Sequence, residues 1–130
     1  MKLICTLIQN YFMYRLLPLC LLFFAFSVKQ EDDSSWIRIN QLGYMPDGIK
    51  VAIWCSKNQV TISSWELVEV NSEKVVASGS AGKPFGVYGP FKQTYRLNFT
   101  TFKKPGNYYL QVGKTKSAEF EIGKDVYKGT

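Results

Sequence analysis

The segment from residue 91 to 99 alternates apolar and polar side chains with a period of two, and this pattern constrains the fold most. Two sets of side chains fall on opposite faces: Phe91, Tyr95, Leu97 and Phe99, against Lys92, Thr94, Arg96 and Asn98, with Gln93 out of pattern. Such alternation predicts a β-strand with one buried and one solvated face. No run after residue 35 has a helical period, so the sequence favours an all-β fold.

Other short apolar segments follow at fairly even spacing, with turn residues between them. Residues 51–55 are continuously apolar and predict a central strand covered on both faces. In residues 65–70 the alternation slips at Val68, which predicts a β-bulge, and residues 71–73 predict a hairpin turn into a strand at 74–78. With further strands predicted at 37–40, 108–112 and 118–122, the pattern indicates an antiparallel β-sandwich of about seven strands.

Two turn regions add detail to this sandwich. Pro105 and Gly106 precede Tyr108 at the start of a predicted strand, which is typical of the tyrosine corner of immunoglobulin-like folds, although a plain core tyrosine gives the same pattern. Residues 79–90 hold four glycines and two prolines and predict a long irregular loop. Asp47 and Gly48 follow Pro46 and predict a turn, with a calcium ligand as the alternative.

The N-terminus predicts a targeting segment. Residues 16–28 form an apolar run of 13 residues led by Arg15. This run is shorter than the roughly 20 residues that a membrane-spanning helix needs, so it predicts a signal peptide at residues 1–28. A polar leader follows at residues 29–35. We therefore expect a secreted or periplasmic protein, with an uncleaved membrane anchor as the alternative.

Composition limits the classes of function that are open to this chain. The 130 residues suit one domain, and the formal net charge is +6, from basic residues that are scattered rather than arranged in a nucleic-acid-binding stripe. The sequence has no histidine, which excludes Ser-His and Cys-His nucleophile arrangements and the commonest metal ligand. After the leader, Cys55 is the only cysteine. We therefore expect no cofactor, no metal and no nucleic-acid partner.

Three stretches resemble a known family. Residues 39–46 (INQLGYMP) and 50–52 (KVA) resemble the opening of the N-terminal immunoglobulin-like module of glycoside hydrolase family nine cellulases. Residues 86–92 (GVYGPFK), which lead into 95–99 (YRLNF), and residues 104–110 (KPGNYYL) resemble later signatures of that module. The resemblance implies an immunoglobulin-like β-sandwich at residues 36–123, and it implies that residues 124–130 begin the linker to a catalytic (α/α)-barrel.

The resemblance also implies a function. In the family the module supports the barrel of a secreted cellulase, which degrades polysaccharide, and the barrel supplies an aspartate pair and a glutamate general acid. No residue here matches those carboxylates, so we expect no catalytic residue and no hydrolysis by this chain alone. Glu119 and Glu121 share one face of a predicted strand, but their apolar neighbours face the other way, so that face is expected to be solvated.

The expected interface with the catalytic domain lies on two loops and the C-terminal segment, whose apolar and glycine content exceeds what free loops need. The predicted interface residues are Asn40, Gln41, Gly43, Tyr44, Pro46, Phe85, Tyr88, Pro90, Phe91 and Tyr127. Asn40 and Gln41 can bond across this joint or within their own turn.

Two alternative functions remain open. A carbohydrate-binding module would stack cellulose or another β-glucan on exposed aromatic rings, for which the candidates are Trp36, Tyr44, Tyr88 and Tyr109. A general extracellular interaction sandwich is the other alternative, and it rests on fold analogy alone.

Overall fold

The computed structural model describes residues 34–129. The predicted signal peptide and most of the polar leader lie outside the described residues. Within residues 34–129 no helix is long and apolar enough to cross a membrane.

In the described part of the chain, eight strands make up two antiparallel sheets, which confirms the all-β, immunoglobulin-like sandwich and adds one strand to the predicted number. In chain order the strands are β1 (Ser35–Arg38), β2 (Val51–Ser56), β3 (Ser64–Glu69), β4 (Lys74–Ser80), β5 (Gln93–Asn98), β6 (Gly106–Val112), β7 (Thr115–Lys116) and β8 (Phe120–Ile122). A three-stranded sheet has the order β1-β2-β5, so β2 is central as predicted. In the five-stranded sheet the order is β4-β3-β6, and both β7 and β8 pair with the far edge of β6.

The core lies between the two sheets and is rich in aromatic side chains. Trp54 and Tyr95 meet edge to face with ring centroids 5.7 Å apart. Phe99 contacts the rings of Trp65 and Phe120 at 6.3 and 5.6 Å. Burial of each such side chain contributes about 1.5–3 kcal/mol to folding, so the described sandwich has a substantial core without any disulfide.

The β3–β4 hairpin confirms the predicted slip in the pattern. The pairing register shifts between Leu67 and Val68, so these two consecutive side chains are both buried. The strand that follows is longer than predicted, because β4 continues to Ser80 and includes the first two residues of the predicted irregular loop. Gly79 belongs to this strand because it pairs with Trp65. Glycine fits there because its backbone lies against the Trp65 indole, where a Cβ atom would come within 2.5 Å of Cζ2.

Tyr108 occupies a tyrosine corner. Its side chain is fully buried, and its hydroxyl lies 3.2 Å from the carbonyl oxygen of Lys104 and 3.3 Å from that of Pro105. Phe102 packs edge-on against the ring at 5.2 Å. Burial raises the pKa of Tyr108, which keeps the hydroxyl protonated as a donor. The phenol therefore fastens the turn before β6 to the core.

Strand β5 departs from the predicted alternation at its start. Phe91 precedes the strand, and Thr94, predicted on the solvated face, is 7% exposed. The loop at residues 81–92 covers this position, because the Thr94 hydroxyl donates to the carbonyl of Gly86 and the Phe85 N–H donates to the carbonyl of Thr94. The prediction for Thr94 was wrong because a strand pattern does not show which loop folds back over it.

Candidate interaction surfaces

Asn40 organises the loop that follows β1. Its Oδ1 accepts a hydrogen bond from the N–H of Leu42 at 3.1 Å, and its Nδ2 donates to the carbonyl of Gly43 at 3.0 Å. The same Nδ2 lies 3.1 Å from the hydroxyl of Tyr127 in the C-terminal segment. Asn40 therefore bonds its own turn and also ties that turn to the end of the described chain. Gln41, beside it, is exposed.

Tyr44 is buried beneath this loop. Its ring lies edge-on between Phe99 and Phe120, with centroids 5.2 and 5.3 Å away. The hydroxyl accepts from the N–H of Asn40 at 2.9 Å and donates to the carbonyl of Val51 at 3.1 Å. Burial raises the pKa of Tyr44. Tyr44 is 5% exposed, so the prediction that it offers an exposed ring for sugar stacking was wrong: the ring fills the core.

The C-terminal segment runs alongside the loop. The N–H of Tyr44 donates to the carbonyl of Glu121 at 2.9 Å, and the N–H of Gly123 donates to the carbonyl of Tyr44 at 3.0 Å. The Tyr127 hydroxyl lies 2.9 Å from the carbonyl oxygen of Gly43, which has a φ of +96°. These bonds fix the course of residues 121–127 against the loop.

Lys50 closes the other half of the loop, and its role was not identified from the sequence. The side chain is fully buried, and Nζ donates to the carbonyls of Met45, Pro46 and Gly48 at 3.2, 2.7 and 2.9 Å. Burial lowers the pKa of Lys50, and the three carbonyl oxygens act against this because they stabilise the charged form. The only sequence signal was a lysine next to the continuous apolar run of β2.

Asp47 and Gly48 form the predicted turn. The N–H of Gly48 donates to the carbonyl of Met45 at 3.0 Å. The exposed carboxylate of Asp47 pairs with Lys103 at 2.9 Å, and this hydrogen bond lowers the pKa of Asp47. In residues 34–129 no group of three or more acidic or cysteine side chains could hold a metal ion.

Apolar side chains are exposed around this loop and the C-terminal segment. Leu42 is 55% exposed and Ile49 is 81% exposed. Met45 and Tyr127 are also more than two-fifths exposed, whereas Pro46 is buried. We call Leu42, Met45, Ile49 and Tyr127 the first surface.

A second group of exposed apolar side chains lies on the loop before β5. Phe85, Val87 and Tyr88 are at least half exposed. Tyr88 and Phe91 exchange two backbone hydrogen bonds of 3.0 and 3.1 Å and close a tight turn that contains Pro90. Phe91 is half-buried against Trp36, with ring centroids 5.7 Å apart.

The ten predicted interface residues therefore fall into two groups. The loop after β1 starts at the end of the three-stranded sheet where Val51 pairs with Asn98. The loop with Phe85 and Tyr88 enters the opposite end, where Ser56 pairs with Gln93. A strand of this length spans about 20 Å, so the structure brings each group together but separates the two groups.

Two rings proposed for sugar stacking lie on different sheets. Trp36 belongs to β1 and Tyr109 to β6, and each is half-buried with a lysine ammonium over its ring, Lys57 at 5.3 Å and Lys116 at 4.9 Å. Since both alternate with core residues of their own strand, they face outward on opposite sides of the sandwich. They do not form one flat platform.

The carboxylates of the described residues lie in ordinary surface settings. Glu119 and Glu121 are exposed while Phe120 is buried, so the face predicted to be solvated is solvated. Hydrogen bonds from Ser72 and Lys104 lower the pKa of Glu69. A glycosidase general acid needs the opposite shift, a raised pKa.

The two antiparallel sheets and the tyrosine corner define an immunoglobulin-like β-sandwich. The profile of the cellulase N-terminal ig-like domain matches residues 32–117. The chain belongs to this family. No curated protein sequence matches the chain significantly.

Solved structures agree with this family. A metagenome-derived glycoside hydrolase family 9 endoglucanase is 28% identical with a TM-score of 0.61, over 68% of this chain and 18% of that chain. Bacteroides ovatus GH9 is 28% identical with a TM-score of 0.56, over 69% and 16%. A thermostable endoglucanase mutant from Alicyclobacillus acidocaldarius is 26% identical with a TM-score of 0.55, over 71% and 15%. The chain thus spans less than a fifth of each of these proteins.

Proposed function

We propose that this chain is the non-catalytic immunoglobulin-like module of a secreted cellulase-type glycoside hydrolase, and that its first surface packs on a catalytic (α/α)-barrel. The observation that carries this proposal is that the C-terminal segment is hydrogen-bonded to the loop after β1 through Asn40 and Tyr127. The same loop exposes Leu42 and Ile49. A domain attached after that segment would begin close to the loop that exposes these apolar side chains.

Size and burial support this position for the joint. The matched proteins are more than five times longer than the part that resembles this chain, and the family is named for an N-terminal position. Exposed apolar clusters on a small domain commonly mark contact surfaces. Two backbone hydrogen bonds, from the N–H of Tyr44 to the carbonyl of Glu121 and from the N–H of Gly123 to the carbonyl of Tyr44, hold the C-terminal segment in a fixed direction, as a supporting module needs.

The proposal that this chain is non-catalytic rests on the carboxylates of its described residues. Inverting glycoside hydrolysis needs two carboxyl groups about 6.5–9.5 Å apart across a bound sugar, one with a raised pKa. The pKa values of Asp47 and Glu69 are lowered by their lysine and serine partners. Glu119, just before β8, and Glu121, within it, are both exposed.

The docking proposal predicts rescue of a separate barrel. A family nine endoglucanase barrel made without its own module is assayed for reducing-sugar release from carboxymethylcellulose. We expect no sugar from this chain alone, and a several-fold gain in barrel activity when the chain is added. Leu42→Asp and Ile49→Asp should each weaken docking at least tenfold, because an unpaired carboxylate would be buried at the contact.

Matched variants locate the contact. Val75→Asp changes an apolar residue of β4 that is 52% exposed, close to the 55% of Leu42, and should leave the rescue unchanged. Tyr88→Asp, on the other group of predicted interface residues, should also leave it unchanged. If Tyr88→Asp abolishes rescue while Leu42→Asp does not, the joint lies on the other loop. Sugar release by the chain alone would refute the non-catalytic proposal.

Secretion is proposed from the apolar run at residues 16–28, which lies outside the described residues. We expect the exported protein to begin within the polar leader at residues 29–35, because a signal peptidase cuts after such a run. N-terminal sequencing of the exported protein measures this directly. Recovery of the intact chain in the membrane fraction would instead indicate the uncleaved anchor.

A further inference from the structure

The outer face of the three-stranded sheet carries two exposed arginines next to apolar and aromatic side chains. Ile37, Trp54 and Tyr95 point into the core, so their strand neighbours point outward. Arg38, Ile53 and Arg96 form one cross-strand row, because Ile53 pairs with Arg38 on one side and Arg96 on the other. The next row holds Trp36, and both arginines are exposed.

Acidic residues are missing from this part of the described chain. The seven acids of residues 34–129 are Asp47, Glu66, Glu69, Glu73, Glu119, Glu121 and Asp125. All of them lie on the five-stranded sheet, its loops, the C-terminal segment or the β1–β2 loop. The strands β1, β2 and β5, with the loops at 57–63 and 81–92, carry only basic charges: Arg38, Lys57, Lys83, Lys92 and Arg96.

Two of these cations are placed against rings. The Arg96 guanidinium lies 4.5 Å from the ring centroid of Phe85, and the Lys57 ammonium lies 5.3 Å from that of Trp36. The ion pairs within residues 34–129 instead use Lys103, Lys104 and Lys128, which all lie outside β1, β2 and β5. We call Arg38, Arg96, Lys57, Trp36 and Phe85 the cationic face.

We propose that the cationic face binds an anionic polysaccharide, a polymer of uronic acids. The excess of cations favours an anionic ligand, since β1, β2 and β5 carry no carboxylate. Arginine recognises carboxylates through paired hydrogen bonds, and half-exposed rings offer apolar faces for the C–H side of a sugar. Arg38 and Arg96 stand two strand spacings apart, about 10 Å, which is comparable to two sugar units of an extended chain.

This inference does not depend on docking to a barrel, because it concerns the chain alone and a different surface. It also differs from stacking of neutral cellulose, which would need a row of open rings. An acidic protein partner would also pair with the arginines and lysines of this face. It would gain little from the spacing of Arg38 and Arg96, about 10 Å, which is comparable to two sugar units. These alternatives are distinguished by the ligands in the test.

The test is calorimetric titration of the chain with oligogalacturonate, with cellohexaose as the neutral ligand and poly-L-glutamate as the acidic polypeptide. We expect binding to oligogalacturonate that weakens as salt is added, and at least tenfold weaker binding to the other two. The double variant Arg38→Gln/Arg96→Gln should weaken oligogalacturonate binding at least tenfold, and Phe85→Ala about fivefold.

The control removes the same charge elsewhere. Lys114→Gln/Lys124→Gln changes two exposed lysines outside the three-stranded sheet and should weaken binding less than twofold. Circular dichroism checks that both double variants fold. Absence of binding to oligogalacturonate, equal binding to poly-L-glutamate, or equal losses in the two double variants would each overturn the proposal.

Discussion

Replacing Lys50 by methionine is expected to lower the free energy of unfolding by about 3 kcal/mol or more, which is a large part of the 5–15 kcal/mol typical of such a domain. The methionine can fill the space of the lysine stem but cannot donate. The carbonyls of Met45, Pro46 and Gly48 would then lose the ammonium that lies 2.7–3.2 Å from them. Unsatisfied carbonyl groups in a packed loop are costly.

Urea denaturation followed by tryptophan fluorescence measures this loss. The matched control is Lys103→Met, which removes an exposed ion pair to Asp47 and should change the free energy of unfolding by less than about 1 kcal/mol. Lys50→Met should also reduce docking to the barrel in the rescue assay, because the loop presents Ile49. Equal stability of the two variants would show that the loop does not depend on the ammonium.

Much of the sandwich could be predicted because period-two patterns report burial directly. The alternation around Trp65, the slip at Val68 and the apolar run of β2 all correspond to observed features. Predictions failed where a loop returned to cover a strand. Thr94 is buried by residues 81–92. Gly79, predicted in the loop, pairs with Trp65 across the hairpin and packs on its indole. Neither contact has a local signal in the sequence.

The surfaces were less predictable than the fold. The sequence singled out both loops, but it could not show that Tyr44 lies inside while Leu42 lies outside, because irregular loops have no period. It also could not show that two distant loops lie at opposite ends of one sheet. That separation follows from the pairing of β2 with β5, which is a long-range feature.

Replacing Gly43 by alanine is expected to lower the free energy of unfolding by about 3 kcal/mol, through two separate costs. The first is the backbone, since a φ of +96° disfavours any residue with a Cβ atom by at least 1 kcal/mol. The second is space. A Cβ atom would come within 2.6 Å of the Glu121 carbonyl oxygen, which accepts the hydrogen bond from Tyr44. Relief of that contact requires the loop and the C-terminal segment to move apart.

Gly82→Ala separates these two costs. Gly82 has a φ of +69°, and a Cβ atom there meets nothing within 4 Å, so alanine should cost only about 1 kcal/mol. Both variants reduce the freedom of the unfolded chain equally, so their difference in urea denaturation isolates the steric contact. Hydrogen exchange should show faster exchange at the amides of Tyr44 and Gly123 in Gly43→Ala only. Equal destabilisation of the two variants, with unchanged exchange at Tyr44 and Gly123, would mean that close packing of Gly43 on Glu121 does not hold the C-terminal segment. The proposed joint with the catalytic domain would then have no fixed direction.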